Sequence, residues 1–331
     1  MKNILITLLL NLAFVVNGFA NEVEKVVIIG AGAAGSSAAI FAGQAGLNPL
    51  VMSNSDCNAQ MALIHNIDNY PGILEPIDGY DLLNNFRTQA EKFGARFVAE
   101  TVEAVDITNR PFRIEFESGK TVYSEALIIA SGSTKRWLNL SGEQELRGKG
   151  IVTATFCKDT DYKGKNVVVV GGGHAALQEA IYISDIANHI TIVNRSNKFN
   201  ASKFHQDEAF NEDKISIVFD TEVIEIQDIA SGSLTGVTLR NSVTLEEHYL
   251  PADILIVAIG SEPNSKIFKD QLEMTPSGNI IIKGNTTATN VPGVFAAGDV
   301  TNSSYGRVVI SAGTGAMAAI DTARYLETSN K

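Results

Sequence analysis

Cysteine is nearly absent: the 331-residue chain has two, Cys57 and Cys157. Two thiols are too few for a disulfide framework or a four-thiolate zinc site. Positive charge is in deficit, with 26 lysines and arginines against 37 aspartates and glutamates, a net charge of −11. So acidic a chain has no electrostatic footprint for nucleic acid or for anionic lipid. Long apolar runs are missing too. The N-terminal stretch from Ile4 to Val16, broken by Thr7 and Asn11, falls short of the roughly 18 residues that suggest a membrane span. No stable membrane span is expected.

What is present is ordinary globular chemistry, 45% hydrophobic and 19% charged, in a chain long enough for two domains at about 150 residues each. Lys2, the short apolar stretch and the small residues Gly18 and Ala20 around Phe19 have the layout of a cleavable signal peptide. Residues 1–20 are therefore expected to be a signal peptide, and the remainder an exported protein, periplasmic or secreted. A buried N-terminal strand or an uncleaved anchor is the competing reading, and a cytoplasmic location stays open.

The body of the chain contains a repeat. Val26-Val27-Ile28-Ile29 runs into Gly30, Gly32 and Gly35 and then a small-residue stretch from Ser36 to Ala42. Val167 to Val170 runs into Gly171, Gly173 and Ala176, then Leu177 to Ile183. Each reads as buried strand, glycine turn and helix. The first glycine permits the tight turn, the second lets backbone approach a pyrophosphate, and the third, or Ala176 in its place, lets helix pack closely on strand. Phosphate then meets the free N–H groups at the helix N-terminus. A second echo pairs the strand ending at Gly132 with one ending at Gly260. The prediction is an α/β protein with two Rossmann-like dinucleotide-binding domains. Near the C-terminus an apolar strand ends in Gly298-Asp299, followed by a small-residue helix from Ser311 to Leu326. An acid there can accept hydrogen bonds from sugar hydroxyls, and the helix N-terminus favours negative charge near it.

With these residues in place, the chain resembles the low-molecular-weight thioredoxin reductases, over roughly Glu24 to Glu327. Gln60 and the run Asn69-Tyr70-Pro71-Gly72 match that family's flavin-side loop, and Gly298-Asp299-Val300 with Ser311 to Gly315 its C-terminal FAD motif. The resemblance implies a discontinuous FAD-binding domain, residues 21–138 and 259–331, around an NAD(P)-binding insert, residues 139–258. It also implies a homodimer acting on a small-molecule or protein thiol or disulfide.

Two departures qualify this. The family's Cys-x-x-Cys and following Asp fall on Ala154, Cys157 and Lys158. A lone sulfur cannot form the internal disulfide that flavin reduces, which argues against ordinary thioredoxin reduction. Lys158 would favour a Cys157 thiolate, and Asp159 is placed to move protons. Cys157 is otherwise a small buried hydrophobe, or the partner of Cys57. In the insert, the family's basic residues for the 2′-phosphate of NADPH are replaced by Asn194-Arg195-Ser196 and Phe199-Asn200-Ala201, leaving Arg195 with Lys198 as a substitute. A phosphate takes several charge-assisted bonds, so preference for NADPH over NADH is weakened. His65 lies in the flavin-side loop and is either a proton donor or structural. His174 is expected to meet only backbone or phosphate. Arg307 stands where relatives place a glutamine by the flavin, and either favours the anionic ring or points to solvent.

The sequence thus supports an FAD-dependent oxidoreductase of thiols or disulfides assisted by Cys157. Two alternatives stay open: a flavin reductase or oxidase of ferredoxin–NADP reductase type with no cysteine role, and a non-catalytic FAD-binding scaffold. Export would separate the protein from pyridine nucleotides, which suggests a thiol oxidase passing electrons to oxygen.

Overall fold

A computed structural model describes residues 23–53, 60–64, 67–154, 160–228, 232–302 and 304–329. The polypeptide divides into two units. One comprises residues up to 62, 67–133 and 263–331, and the other residues 63–66 and 134–262. The chain leaves the first unit and later returns to it.

In the first unit the run of buried apolar residues makes β1 (Val23–Ile29), which turns into helix α1 (Ala33–Gln44) and strand β2 (Leu50–Ser53). Helix α2 (Gly79–Lys92) starts where the Asp78 carboxylate accepts the Tyr80 N–H, an N-cap. Strands β3 (Arg96–Ala99), β4 (Val102–Asp106), β5 (Phe112–Phe116) and β6 (Thr121–Ile129) follow. Strand β7 (Ser133–Lys135) lies at the crossing into the second unit.

The second unit holds β8 (Ile151–Val152), β9 (Asn166–Val170), α3 (His174–Ile183), β10 (His189–Val193), α4 (Lys203–Asn211) and β11 (Ile215–Val218). A meander of β12 (Thr221–Gln227), β13 (Gly236–Asn241) and β14 (Glu247–Pro251) leads to β15 (Ile254–Val257). Strand β16 (Ser261–Pro263), paired with β7, returns the chain to the first unit, which ends with β17 (Val294–Ala296) and the long helix α5 (Val308–Ser329).

The first unit's main sheet has the order β3-β2-β1-β6-β5-β4. Along one edge of β6 the first half pairs with β5 and the second half with β17. Because side chains alternate across a strand, Val26 and Ile28 face the alanines of α1 and α5, while Val27 and Ile29 face Phe112, Ile114 and Phe268. Both faces are buried, which is why its parallel strands read as unbroken apolar runs rather than alternating ones. The second unit repeats the plan with a parallel sheet β11-β10-β9-β15-β8. Val167 and Val169 pack under α3, and Val168 and Val170 against the meander. Each unit is an α/β dinucleotide-binding fold with its glycine turn after the first strand of the repeat.

Candidate functional site

The turn after β1 is built by contact. Gly30 has φ +104°, and a Cβ there would lie 2.2 Å from the Ala130 carbonyl oxygen. A Cβ on Gly35 would lie 1.8 Å from the Gly30 oxygen, so α1 sits directly on the turn. At Gly32 the reverse holds: nothing lies within 4 Å of a Cβ position. Gly32 is also the extended N-cap of α1 and supplies no side-chain cap. The three glycines thus make a tight turn, an open backbone approach and a close helix contact, which leaves the first-turn N–H groups of α1 presented to an anion.

The C-terminal motif meets this turn. Gly298, at φ +75°, donates its N–H to Thr314 Oγ1 at 3.0 Å. Its neighbour Asp299 is half-buried, with one carboxylate oxygen accepting from Ser133 Oγ at 3.3 Å and the other from Ser311 Oγ at 3.4 Å. The Gln60 amide donates to the Ser133 carbonyl and to Ser133 Oγ, the latter at 3.2 Å. Gly132, at φ +71°, lies three residues after β6, and its carbonyl accepts the Asn264 N–H at 3.0 Å. Gln60, Gly132 and Asp299 therefore converge. Ser133, one of the two residues that link them, carries no sequence signal beyond adjacency to Gly132, whereas Ser311 opens the run matched to the C-terminal FAD motif.

The remaining flavin-side residues are dispersed. Asn69 is exposed and takes no part in this set of hydrogen bonds. Tyr70 packs on Phe86, with ring centroids 5.6 Å apart, and burial pushes its hydroxyl pKa up. Arg307 immediately precedes α5, is exposed, and points its guanidinium at the Tyr305 and Gly306 carbonyls at 3.5 and 3.3 Å. Cys157, Asp159 and His65, with Cys57 and Lys158, lie outside the described residues.

In the second unit Gly171 has φ +143°, and a Cβ there would lie 2.4 Å from the Ala258 oxygen and 3.0 Å from the Ala176 methyl. Ala176, fully buried, thus takes the third-glycine role with one methyl group filling the gap. Gly173 is open, with nothing within 4 Å of a Cβ position, and is the N-cap of α3. Gly172 is closed by Asn194, whose amide oxygen would be 2.3 Å from a Cβ. Asn194 folds back on its own loop and donates to the Ser196 and Lys198 carbonyls at 3.0 and 2.9 Å. Arg195 and Lys198 are exposed on that loop. His174 does meet backbone, accepting the Ser202 N–H at 3.3 Å, but it also packs edge-on against His205 at 5.0 Å between ring centroids. That pairing, across two helices, was invisible in the spacing.

Residues 24–324 match the family model described as pyridine nucleotide-disulphide oxidoreductase. A thioredoxin reductase from Rickettsia prowazekii is 37% identical over 305 residues, 91% of this chain and 98% of that protein. One from Coxiella burnetii is 38% identical over 315 residues, 93% of this chain and 98% of that protein. The solved thioredoxin reductase from Giardia duodenalis superimposes with a TM-score of 0.74 at 36% identity, covering 92% of this chain and 98% of the other. A paired glycine-turn architecture and full-length likeness agree: the chain belongs to the pyridine nucleotide-disulphide oxidoreductase family, in its low-molecular-weight thioredoxin reductase class.

Proposed function

We propose that the protein is an FAD-dependent oxidoreductase of thiols or disulfides in which Cys157 alone stands for the relatives' dithiol. The observation that carries the reading is the first unit's cradle: the open Gly32 backbone at the start of α1, with Asp299 held by Ser133 and Ser311. That donor and acceptor set fits a dinucleotide, since N–H groups meet the pyrophosphate and a carboxylate meets sugar hydroxyls. Bound FAD supplies a two-electron carrier between a pyridine nucleotide and sulfur.

The chain's own groups then have these roles. Gly30, Gly32 and Gly35 shape the pyrophosphate seat. Asp299 orients the sugar portion, with Gln60 and Gly132 beside it. Asn69 and Arg307, both exposed, with Arg307 turned to the Tyr305 and Gly306 carbonyls, are assigned to the flavin side by the family resemblance alone. In the second unit Gly171, Gly173 and Ala176 shape the nucleotide seat, and Arg195 is the cation retained for phosphate. Residues 21–138 and 259–331 form the FAD part and residues 139–258 the NAD(P) part in this reading.

Ala154 at the first position of the family's Cys-x-x-Cys removes the internal disulfide. Thioredoxin, implied by the relatives' name, is therefore replaced by a substrate that one thiolate engages: a thiol, a mixed disulfide or a small acceptor. Asp159 and His65 are assigned proton transfer. Residues 1–20 are assigned as a signal peptide that exports the chain, where dithiol oxidation with reduction of oxygen to peroxide needs no pyridine nucleotide. A homodimer is proposed, supported by Val309, Ile310, Met317 and Ile320, which leave apolar surface exposed along α5.

The test is the absorption spectrum of the purified protein, followed by anaerobic mixing with NADH, NADPH and a dithiol. Flavin bands bleached by at least one donor, with turnover lost in Cys157→Ala, are expected. Retained turnover in Cys157→Ala would move the assignment to a flavin reductase without a cysteine role. A protein that binds flavin but is bleached by nothing would be a scaffold, and one that binds no flavin ends the proposal.

A further inference from the structure

Two glycines of the second turn are there for different reasons. Gly171 has a positive φ, whereas Gly172 does not, so the backbone alone leaves position 172 open to other residues. A side chain closes it: Oδ1, Cγ and Nδ2 of Asn194 would lie 2.3, 2.6 and 2.8 Å from a Cβ on Gly172. The first unit supplies an internal comparison. Its turn has Ala31 at the matching place. The Gly30 N–H donates to the Met52 carbonyl and the Gly171 N–H to that of Val193, so Ser53 matches Asn194. The first unit thus combines a methyl group in the turn with a short side chain at the strand end. The second combines no methyl group with a longer side chain.

Asn194 is only 5% exposed. Its N–H donates to the Val218 carbonyl at 2.9 Å, and its own carbonyl accepts the Thr221 N–H at 3.1 Å. Its amide nitrogen donates to the Ser196 and Lys198 carbonyls at 3.0 and 2.9 Å. A backbone carbonyl can only accept, so these partners fix which end of the amide is nitrogen and turn the oxygen toward Gly172. The Asn200 N–H donates to the Gly172 carbonyl at 2.6 Å. The loop between is therefore fastened to the turn at both ends, with Arg195 and Lys198 exposed on it.

We infer that Asn194 is a positioning residue for the adenosine end of a pyridine nucleotide: it sets residues 195–200 against the glycine turn and leaves the ligand to them. The inference rests on the reading of the second unit as the NAD(P) part. In a dinucleotide fold, an acid about 20 residues beyond the first glycine takes the ribose diol, or a nearby arginine takes the 2′-phosphate. Here the side chain at that place is committed to its own backbone. A loop that is ordered before binding spares the nucleotide the entropy cost of ordering it.

The experiment titrates the full-length flavoprotein with NAD+ and with NADP+ by calorimetry, for wild type, Asn194→Ala, Gly172→Ala, the double variant and Asn194→Asp. Loss of the two side-chain bonds predicts a dissociation constant raised about tenfold for both nucleotides in Asn194→Ala. Gly172→Ala, whose methyl group displaces the same amide, should cost as much in wild type and nothing further in the Asn194→Ala background. Asn194→Asp keeps the shape but faces two carbonyls with a carboxylate, so both nucleotides should bind about tenfold more weakly at an unchanged ratio. With a nucleotide that bleaches the flavin, Asn194→Ala should raise the half-saturating concentration about tenfold at an unchanged limiting rate. Affinity within twofold of wild type in Asn194→Ala, or strictly multiplicative effects of Gly172→Ala and Asn194→Ala, overturns the inference. So does a shift of preference toward NAD+ in Asn194→Asp, which would mean direct contact with the ribose, or a limiting rate that falls along with affinity. Should Asn194→Ala not fold, Gly172→Ala carries the same tenfold expectation and the same overturning result. A wild-type protein that binds neither nucleotide removes the NAD(P) reading of the second unit, whereas wild-type binding with indifferent variants removes the role of Asn194 alone.

Discussion

Gly315 of α5 rests on the backbone of Ala34 in α1: a Cβ at position 315 would lie 2.0 Å from the Ala34 carbonyl oxygen. The two helices meet through Ala34, Ala38, Ala39, Ala318 and Ala319, so the glycine turn and the C-terminal motif are positioned by the same small-residue contact. Gly315→Ala should therefore destabilise the protein by about 2–3 kcal/mol through overpacking. Gly313, two residues earlier, is exposed, with nothing within 4 Å of a Cβ position. Gly313→Ala should stabilise the helix by about 0.5–1 kcal/mol. Urea denaturation of the two variants measures both, and equal effects of one sign would contradict the packing argument.

A second prediction concerns a carboxylate buried in the second unit. Glu143, only 1% exposed, accepts the Leu138 and Asn139 N–H groups at 2.9 and 2.8 Å. It also approaches Arg147 at 3.8 Å, and that guanidinium lies 3.9 Å from the Trp137 ring centroid. Glu143→Ala strands two backbone donors and should cost about 2–4 kcal/mol. Glu143→Gln keeps one acceptor oxygen and should cost about half as much. Tryptophan fluorescence during denaturation reads this directly, because Trp137 is the chain's one tryptophan.

Much of this architecture was legible in the chain because its signals are local. Strand, glycine turn and helix follow one another within a few residues around Gly30 and Gly171, and φ +104° and +143° at these positions explain why glycine stands there. The Gly298-Asp299 motif is equally local. What the sequence did not disclose depends on chain segments that meet only after folding. Ser133 finds Asp299 across 166 positions. His174 finds His205 through the packing of two helices. Asn194 is part of a recognisable loop, yet nothing in its neighbours says that its amide turns inward against Gly172 rather than outward to a nucleotide.

That inward turn leads to a third prediction. Asn194 is occupied with the Ser196 and Lys198 carbonyls, and Arg195 and Lys198 are the exposed cations of the loop. Ser196→Arg adds a second guanidinium beside Arg195 without disturbing those bonds, which use the Ser196 carbonyl. The ratio of flavin-reduction efficiency with NADPH to that with NADH should rise about tenfold. Anaerobic stopped-flow traces with each nucleotide check it, and an unchanged ratio would show that this loop does not meet the 2′-phosphate.

The fourth prediction concerns acid. The Lys120 ammonium, at 2.7 Å, together with Ser118, holds the Glu100 carboxyl below its usual range. A carboxyl with a lowered folded-state pKa contributes stability above the unfolded value and loses it as pH falls through the lowered one. The stability difference between wild type and Lys120→Met should therefore be present at neutral pH and vanish in acid. Both side chains touch solvent, so the difference should be small and shrink in high salt. Denaturation midpoints across a pH series at two ionic strengths decide it.

The twofold crossing of the chain has a consequence for the order of folding. Residues 134–262 make up nearly all of the second unit and carry its parallel sheet, so that portion can consolidate from one stretch of chain. Its neighbour cannot. Strand β17 must align beside β6, and α5 must cover α1, before that sheet has both faces sheltered. Its alanine-lined surface stays open until β17 and α5 have docked, which makes these two elements the ones that close that unit against aggregation.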